Sequence, residues 1–340
     1  MRQIERVSGI SFTSLAKGVA ATKDFPGFLG GLNTFVDMFC GIGGFHLAAE
    51  SFGMKCVFAC DLDEEARTAY GYNFGMRPKG DIRLIAEDRI PDHDLFCAGF
   101  PCQPFSIIGK RQGFDDIRGT LFFEIMRILK VKRPRAVLLE NVKQLTTNDG
   151  KKTINKIVAS LEALDYHVSW CVLNALNFGL PQKRERVLIA ATQDNFGEFP
   201  WPSKKVDMTP LDQILEQNPD PKHLVSDRIK KRRHESHVSK YKPGIWHENK
   251  SGHISSYPYS CALRAGASYN YLLVDGERRL TPREMLRLQG FPDTYEIVSS
   301  DSQTRKQAGN AVPVPLIVAG LEGILQVVRA SETSRKSESA

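Results

Sequence analysis

Short apolar runs alternate with helically spaced segments through the first half of the chain. Four runs have the length and composition of buried strands, namely 34–39, 56–60, 94–98 and 136–139. Three stretches carry apolar side chains at the spacing of a helix, namely 45–52, 64–74 and 121–131. Strands that alternate with helices in this way predict an α/β protein with a parallel, doubly wound sheet.

The patterning weakens after residue 191. Residues 193–275 are richer in Pro, His, Ser, Lys and Tyr, and they predict a second, smaller domain. Helical spacing returns at Leu280, and 312–328 is apolar enough to pack back on the sheet. Residues 1–32 are weakly patterned and form an N-terminal extension, and the Ser-, Glu- and Lys-rich tail at 330–340 is predicted to be disordered.

Composition adds a bound on the class of protein. A chain of 340 residues with 41% hydrophobic and 25% charged residues is typical of a soluble globular protein with one large or two moderate domains. The net charge of +7 favours a polyanionic partner, although many basic proteins bind nothing anionic. The seven cysteines include no CxxC pair, which disfavours both a disulfide framework and a structural zinc site.

Location follows from the same kind of argument. The first 30 residues have no apolar run of signal-peptide length, and no stretch reaches the roughly 18–20 apolar residues that span a membrane. We therefore expect a cytoplasmic protein that has no metal site and no membrane contact.

A glycine-rich turn follows the first predicted strand, in the sequence DMFCGIGG at 37–44. Glycines at this point let the backbone approach a ligand closely at the beginning of a helix, which indicates a nucleotide-type ligand. Many α/β proteins have a glycine-rich first turn without such a ligand. The spacing differs from GxGxxG and therefore does not favour NAD.

Two acidic residues follow later strands. Asp61 comes about 20 positions after the glycines and suits the hydroxyls of a ribose. It could equally cap the next helix, since Asp61 and Asp63 both precede one. Asp81 lies where a third strand–helix connection could reach the amino group of an adenine.

Cys102 lies between two prolines, Pro101 and Pro104, after the strand at 94–98. Ligands of parallel sheets bind at this end of the strands. A free cysteine is more often a buried structural residue. The glycine-containing segment 108–114 that follows favours a mobile loop, and with it a reactive thiol.

A carboxylate and two arginines are expected at the same sheet edge. Glu140 follows the strand at 136–139, and the run 182–187 leads into another strand with Arg184 and Arg186. The run 182–187 could also be a surface hairpin with alternating charges. A cysteine, a carboxylate and an arginine that converge at one edge form a set that can carry chemistry.

Taken together, these motifs resemble those of the cytosine carbon-5 DNA methyltransferases of the bacterial restriction–modification type. The matching blocks occur in order and with suitable spacing, at 35–44, 99–106, 118–122, 140–142, 182–186, 279–284, 289–293 and 307–313. Any one block is modestly specific, whereas the whole ordered set is specific for the family. The resemblance implies a Rossmann-like, S-adenosylmethionine-dependent methyltransferase sheet with a second, smaller target-recognition domain.

The resemblance also implies the division of the chain. The expected segments are an extension at 1–32, a catalytic domain at 33–195, a target-recognition domain at 196–280, a connection at 281–304, a segment at 305–329 that completes the catalytic domain, and the tail at 330–340.

The chemistry that the resemblance implies begins with Cys102. Its thiolate adds to carbon 6 of a flipped-out cytosine, so that carbon 5 can attack the methyl group of the donor. Glu140 holds ring nitrogen 3, for which it has to be protonated at least transiently, and we expect its pKa to be raised. Arg186 orients the base, and Arg184 is expected on the same face in support.

Binding residues are carried over from the same motifs. For S-adenosylmethionine they are Phe39, Gly41, Gly43, Asp61, Leu62, Asp81, Ile82, Pro101, Leu121, Asn310 and Ala311. Leu62 stands where some relatives have a tryptophan against the adenine, and a leucine stacks less. For DNA they are Lys110, Arg111 and Arg118 in a catalytic loop at 101–119, and Arg264 and Ser268 in a recognition loop at 264–270.

The recognition residues leave alternatives open. Arg264 could read a guanine edge or bind a phosphate. The segment 222–242 has eight Lys or Arg against two acids and suits phosphate contact, but it could also be a solvated basic helix. The implied partners are double-stranded DNA and a cognate restriction endonuclease, and the implied enzyme is a monomer that works at the bacterial nucleoid.

Three other functions fit parts of this pattern. A transfer-RNA cytosine methyltransferase of the same superfamily would lack a DNA-type recognition domain and would have a different context for the Pro-Cys motif. The large basic segment here favours DNA. A non-catalytic DNA-binding homologue would have lost the cysteine or the glutamate of the ENV block, and both are present. A nucleotide-dependent oxidoreductase is disfavoured by the Pro-Cys block and by the lack of GxGxxG.

Overall fold

The computed structural model describes residues 31–101, 120–203 and 205–338, apart from three side chains at 120, 149 and 338. These residues form two compact units. The sheet unit contains the described residues up to Asn174, together with Glu185–Lys205 and the C-terminal stretch from Ala311. The second unit contains Ala175–Arg184 and Val206–Asn310.

The sheet unit is built on a six-stranded sheet with helices beside it. Its elements are β1 (Thr34–Met38), α1 (Gly44–Glu50), β2 (Lys55–Cys60), α2 (Glu64–Phe74), β3 (Leu95–Gly99), α3 (Thr120–Lys132), β4 (Ala136–Val142), α4 (Lys152–Glu162), β5 (His167–Asn174), β7 (Glu185–Thr192) and α8 (Val314–Glu338). The predicted strands and helices of this part are confirmed within a few residues at their ends. The Rossmann-like α/β class is confirmed as well.

The sheet has the order β2-β1-β3-β4-β7-β5. β1 to β4 pair in parallel, as predicted, but β7 is antiparallel to both β4 and β5. The prediction of a wholly parallel sheet is therefore wrong. The central strands are fully buried, as Val36, Val137 and Ile189 illustrate, because helices cover them.

The helix α8 packs on the sheet, as the apolar run at 312–328 predicts. Gly320 lies against Leu138 and Leu188, where a Cβ would come within 3.1 Å of both side chains. The run Asp301–Ser337 is long and apolar enough to cross a membrane, but 83% of its apolar window is buried inside the protein. That burial is typical of a core helix.

The C-terminal tail differs from its prediction, because α8 continues to Glu338. Asp194, only 2% exposed, accepts hydrogen bonds from Ser331 at 2.8 Å and from Arg335 at 2.6 Å. Arg135 bonds Asp194 and Glu332, at 2.6 Å in both cases. A tail of disordered composition is thus held as helix by a buried carboxylate outside it.

The second unit has a four-stranded sheet of order β12-β11-β8-β9 and a two-stranded one of order β10-β6. Its elements are β6 (Gln182–Lys183), α5 (Asp227–Ser236), β8 (Ile245–Glu248), β9 (Ile254–Tyr257), β10 (Ser260–Cys261), β11 (Leu272–Val274), β12 (Arg278–Arg279), α6 (Pro282–Leu288) and α7 (Asp301–Asn310).

This unit is wider than the domain predicted at 196–280. It takes 175–184 because β6 pairs with β10, and because Gln182 bonds the carbonyl of Leu288 at 2.7 Å and the amide of Leu263 at 2.9 Å. It also takes the predicted connection at 281–304. The segment predicted at 305–329 is consequently divided, since Asn310 belongs to the second unit and Ala311 to the sheet unit.

Candidate active site

The glycine-rich turn after β1 has a left-handed backbone at three positions. Phe39, Gly41 and Gly43 have φ of 55°, 52° and 88°. A Cβ on Gly43 would lie 2.2 Å from the ring of Phe74, whereas one on Gly41 would meet no described atom within 4 Å. Gly43 is therefore required for packing, and Gly41 leaves open space in which a ligand can approach the backbone.

Asp61 ties this turn to the end of β2. Its Oδ2 accepts the amide of Gly41 at 2.8 Å, and its Oδ1 accepts the amide of Asp63 at 2.8 Å. The residue that caps α2 is Asp63, which accepts the amides of Glu65 and Ala66. Burial raises the pKa of Asp61, while the two amide donors oppose the rise. The helix-cap alternative thus applies to Asp63. Asp61 instead holds the glycine-rich turn, and we call the pocket around Gly41 and Asp61 the cradle.

The remaining acidic candidate, Asp81, begins a 3₁₀ turn at Ile82–Leu84. Its Oδ1 accepts the amide of Arg83 at 3.0 Å, and the Arg83 Nε lies 2.9 Å from both carboxylate oxygens. These hydrogen bonds from Arg83 lower the pKa of Asp81. Ile82 is buried in the core, and Leu62 beside Asp61 is 71% exposed. An exposed leucine at the rim suits contact with an apolar ligand surface.

Groups that sequence reasoning missed lie beneath the turn. Asp37 is fully buried, and burial together with the negative charge of Asp61 holds its pKa well above the usual range, against the backbone amide of His46. His46 stacks on Phe74 with ring centroids 3.9 Å apart and bonds the Tyr70 hydroxyl at 2.7 Å. Burial lowers the pKa of His46 to about 4. Asp37 and His46 flank the glycine motif, and that position is the signal that could have pointed to them.

A buried ion pair occupies the edge of the sheet at the end of β4. Arg186 Nε lies 2.7 Å from Glu140 Oε1, and the side chains are 13% and 10% exposed. In the antiparallel ladder Arg186 stands opposite Val142, so it reaches Glu140 diagonally on the same face. The parallel ladder pairs Glu140 with Gly99, the last residue of β3. The predicted approach of Glu140 and Arg186 is present in the structure.

Asn141 anchors the chain just before the predicted nucleophile. Its Nδ2 donates to the carbonyl of Phe100 at 2.8 Å, and its Oδ1 accepts the amide of Val142 at 2.8 Å. The side chain is buried, so an unpaired amide here would be costly. The end of β3 is in this way fixed to the end of β4.

Arg184, two residues before Arg186, is buried and binds backbone carbonyls. It is 2% exposed and belongs to the second unit. Its Nη1 donates to the carbonyl of Leu263 at 2.8 Å, and its Nη2 donates to the carbonyl of Gly309 at 3.0 Å. A guanidinium that binds two backbone carbonyls holds segments together. That Arg184 also supports Arg186 stays a prediction.

Several predicted residues lie outside the described part of the chain: Cys102, Lys110, Arg111 and Arg118. The segment that holds them is bounded by the exposed Pro101 and by Leu121 near the beginning of α3. Six other cysteines are free thiols, and burial raises the pKa of each of them: Cys40, Cys56, Cys60, Cys97, Cys171 and Cys261. A raised pKa makes these six thiols poor nucleophiles.

The loop predicted to read DNA lies on the second unit, with Arg264 and Ser268 both exposed. The Arg264 guanidinium lies 4.8 Å from the ring centre of Tyr271, and that of Arg305 lies 4.3 Å from the ring centre of Tyr269. A cavity of about 170 Å³ opens here, lined by residues that include Lys222, Arg264, Tyr269, Tyr271, Arg279 and Arg305. Aromatic rings beside guanidinium groups suit a nucleic acid.

Much of the basic segment 222–242 is paired within the protein. Arg232 and Arg233 bind Glu248, at 2.7 and 2.6 Å, and Lys222 lies 2.9 Å from Asp301. Arg233 is fully buried. These cations stabilise the unit, so the basic composition overstates the number of groups that are free for phosphate.

The last two residues predicted to bind the methyl donor belong to different units. Asn310 is exposed and ends α7 in the second unit, whereas Ala311 is 7% exposed and belongs to the sheet unit. Among the described residues, no group of three or more His, Cys, Asp or Glu side chains could hold a metal ion.

Comparison with known proteins gives a consistent picture. The family model described as C-5 cytosine-specific DNA methylase matches residues 33–326. The Type II methyltransferase M.NgoBI of Neisseria gonorrhoeae is 53% identical over 287 residues, which is 84% of this chain and 90% of that protein. M.HaeII of Haemophilus aegyptius, also a Type II methyltransferase, is 54% identical over 289 residues, again 84% and 90%.

Solved structures agree on the fold. The S. pombe Dnmt2 methyltransferase superposes with a TM-score of 0.67 at 22% identity, over 86% of this chain and 98% of its own. A putative DNA modification methyltransferase encoded within an E. coli prophage gives 0.66 at 20% identity, over 87% and 99%.

Proposed function

The chain belongs to the C-5 cytosine-specific DNA methylase family, and from this membership we propose how its residues carry out the reaction. It is an S-adenosylmethionine-dependent DNA (cytosine-5-)-methyltransferase. The observation that carries the proposal is the Glu140–Arg186 ion pair at the end of β4, directly beside the Asn141 bond that fixes Phe100. Two residues after that anchor comes Cys102.

Cys102 would act as the nucleophile. Its thiolate bonds to carbon 6 of the cytosine, and ring nitrogen 3 takes a proton from Glu140 as electron density moves through the ring. Carbon 5 then takes the methyl group from the sulfonium sulfur, and S-adenosylhomocysteine leaves. A base removes the carbon-5 proton, the bond from carbon 6 to sulfur breaks, nitrogen 3 gives up its proton, and the thiolate is free again.

Glu140 and Arg186 would hold the ring during these steps. A carboxyl at nitrogen 3 stabilises the adduct, because a proton there neutralises the charge that the thiolate addition brings into the ring. Arg186 lies on the same face and would keep Glu140 in one orientation.

The cradle around Gly41 and Asp61 would bind S-adenosylmethionine, which supplies the electrophilic methyl group. The residues present fit it: Gly41 faces open space, Asp61 is fixed by two amides, and Leu62 offers an exposed apolar surface. Asp61 would accept hydrogen bonds from the ribose, and Asp81 one from the adenine amino group. Phe39, Gly43, Ile82, Pro101, Leu121, Asn310 and Ala311 would complete the binding site.

Double-stranded DNA would be the substrate, with the target cytosine flipped out of the helix. Unstacking the base costs a few kcal/mol, which contacts to the extruded base offset. Arg264 and Ser268 on the second unit would contact the DNA, and the aromatic and basic cavity beside them supports this role. Lys110, Arg111 and Arg118 would add phosphate contacts.

The biological setting is also part of the proposal. The curated relatives are Type II methyltransferases, so a cognate restriction endonuclease would share the recognition sequence. We expect the enzyme to work as a monomer in the cytoplasm, at the nucleoid, and without a metal ion.

A direct assay tests this function. The protein is incubated with tritiated S-adenosylmethionine and duplex DNA, total RNA or transfer RNA, and the product is mapped by bisulfite sequencing. We expect label in one cytosine of a short repeated sequence in DNA. Label in RNA alone would contradict the assignment, and activity that survives Cys102→Ala would contradict the mechanism.

A further inference from the structure

Arg127 on α3 grips the turn that begins with Asp81. Its Nη2 donates to the carbonyl of Ile82 at 3.2 Å and to that of Ile85 at 3.0 Å. Its Nη1 lies 2.8 Å from Glu87, and its Nε donates to Glu124 at 2.8 Å. One side chain thus joins the turn to the helix through backbone carbonyls and to acids on both sides.

The turn that Arg127 holds carries Asp81, which is proposed to bind the adenine amino group, and Ile82, which is proposed to help complete the methyl-donor site. The amides of Leu84 and Ile85 bond back to the carbonyls of Asp81 and Ile82, at 3.1 Å each. These bonds make the turn one local unit, and Arg127 fixes it from outside. Asp81 can then offer its carboxylate in a constant position.

The helix that bears Arg127 also carries a third residue that is predicted to bind the methyl donor. Leu121 precedes Arg127 by six residues, about 9 Å of helical rise. Ile82 and Ile125 are both buried in the same apolar cluster, so the turn and the helix also share core packing. A movement of α3 would therefore displace the turn. The hydrogen bonds of Arg127 also fix the orientation of the turn relative to α3, because hydrogen bonds weaken when they are bent.

We propose that Arg127 is a positioning residue that sets the affinity for the adenosine part of the methyl donor. The inference rests on the proposed function, because it assumes that Asp81 binds the adenine and that Ile82 is part of the same methyl-donor site. Arg127 itself would touch neither the methyl donor nor DNA. It acts by holding the Asp81 turn against α3.

The test compares three variants of the full-length enzyme. Arg127→Met keeps the length of the side chain and removes all donors, and Arg127→Lys restores the charge with a single donor group. Arg133→Met is the matched control immediately after α3, where Arg133 bonds the carbonyl of Leu164 and lies 3.3 Å from Asp165. Dissociation constants for S-adenosylhomocysteine and adenosine, the Kd for DNA, KM and kcat are measured well below each Tm.

The expected pattern separates positioning from general stability. Arg127→Met weakens the binding of S-adenosylhomocysteine and of adenosine by the same factor of about ten. A factor of this size corresponds to the loss of roughly one charge-assisted hydrogen bond. KM for the donor rises with it, while kcat at saturating donor and the Kd for DNA stay within about twofold. Arg127→Lys recovers part of the affinity, and Arg133→Met binds like the wild type.

Two results would overturn the inference. One is unchanged affinity in folded Arg127→Met, or in Arg127→Lys if the first variant fails to fold. The other is an equal loss in Arg133→Met, which would assign the effect to stability. Wild-type protein that binds no S-adenosylhomocysteine would instead overturn the proposed function, and the inference with it.

Discussion

Arg186 reaches diagonally across two antiparallel strands and places its Nε 2.7 Å from Oε1 of Glu140. Both side chains are mostly buried, so neither can be removed without leaving a charge that water solvates poorly. The pair stands at the end of β4, level with the last residue of β3. It gives the proposed chemistry an acid in a defined place.

Replacing Glu140 should remove catalysis and leave binding. Glu140→Gln keeps the shape and a hydrogen-bond donor but cannot transfer a proton, so kcat should fall by about 100- to 10,000-fold. The Kd values for donor and DNA should change by less than about threefold. Rapid-quench methyl transfer and equilibrium binding measure the two quantities.

Glu185→Gln is the matched control for that experiment. Glu185 lies 2.8 Å from Lys143 in a surface pair with side chains 38% and 48% exposed, one residue from Arg186. An exposed pair contributes little, so kcat should stay close to the wild-type value. Equal losses in the two variants would contradict a special role for Glu140.

Asn141 should matter for both folding and rate. In Asn141→Ala the carbonyl of Phe100 loses its donor, and the free energy of unfolding should fall by about 1–3 kcal/mol. Because the anchor lies just before Cys102, kcat should fall further than instability explains. Urea unfolding and kcat at a temperature where the protein is fully folded provide the measurements.

Gln193→Ala serves as the comparison. Gln193 also donates its amide to a backbone carbonyl, that of Arg133 at 2.8 Å, but at the opposite end of β4. Gln193→Ala should lower the stability less than Asn141→Ala does, because Gln193 is exposed, and it should leave kcat unchanged. A normal kcat in Asn141→Ala would show that the Phe100 bond does not position the nucleophile.

The recognition loop presses on α7 at Gly309. A Cβ there would lie 2.3 Å from the amide nitrogen of Ala265 and 2.8 Å from its Cα. Gly309→Ala should therefore displace the loop, at a cost of about 1–3 kcal/mol of stability. We expect kcat/KM to fall more for the recognition sequence than for a sequence with one mismatch. The ratio of the two kcat/KM values, which measures discrimination, should therefore become smaller.

Gly266→Ala tests whether the close approach is the cause. Gly266 lies in the same loop, and a Cβ on it would meet no described atom within 4 Å. Discrimination should be retained in this variant, as measured by competition between the two DNA substrates. The idea fails if Gly309→Ala discriminates as well as the wild type.

His46 should make the protein sensitive to acid. Its pKa is lowered by burial from 6.5 to about 4, so the unfolded chain binds the proton first as pH falls. The stability that neutral His46 contributes is present above pH 6.5 and is lost progressively between about pH 6.5 and 4, by about 3 kcal/mol in total. Urea unfolding at a series of pH values measures the slope.

Asp37 changes the stability in the opposite direction. Burial raises its pKa, so the folded protein binds a proton more readily than the unfolded chain and gains stability as pH falls. The comparison with His46→Asn isolates the histidine. Asparagine can still bond the Tyr70 hydroxyl but does not titrate in this range. The variant should be less stable overall and lose less stability on acidification; parallel pH curves would contradict the assignment.

The sequence predicts most of the sheet because apolar runs and glycine turns are local signals. The strands from 34 to 139 and the cradle of Gly41 and Asp61 follow from them. The reversal of β7 could not be predicted, since strand direction depends on pairing with β4 and β5 and leaves no mark in the run itself.

Contacts between residues far apart in the sequence could not be predicted either. Arg184 and Arg186 are two residues apart, yet one binds the carbonyls of Leu263 and Gly309 and the other binds Glu140. The tail is helical because Asp194, more than a hundred residues earlier, binds Ser331 and Arg335. Composition cannot report such partners.

The proposed mechanism requires a covalent bond from Cys102 to carbon 6 of the target cytosine. The enzyme is incubated with S-adenosylmethionine and duplex DNA that has 5-fluorocytosine at the target position. Fluorine at carbon 5 cannot leave as a proton does, so the adduct should persist under denaturing conditions. Its mass should equal protein, DNA and one methyl group, with Cys102 as the modified residue and no adduct in Cys102→Ser. Methylation of ordinary DNA without any trapped adduct, or an adduct on another residue, would contradict this mechanism.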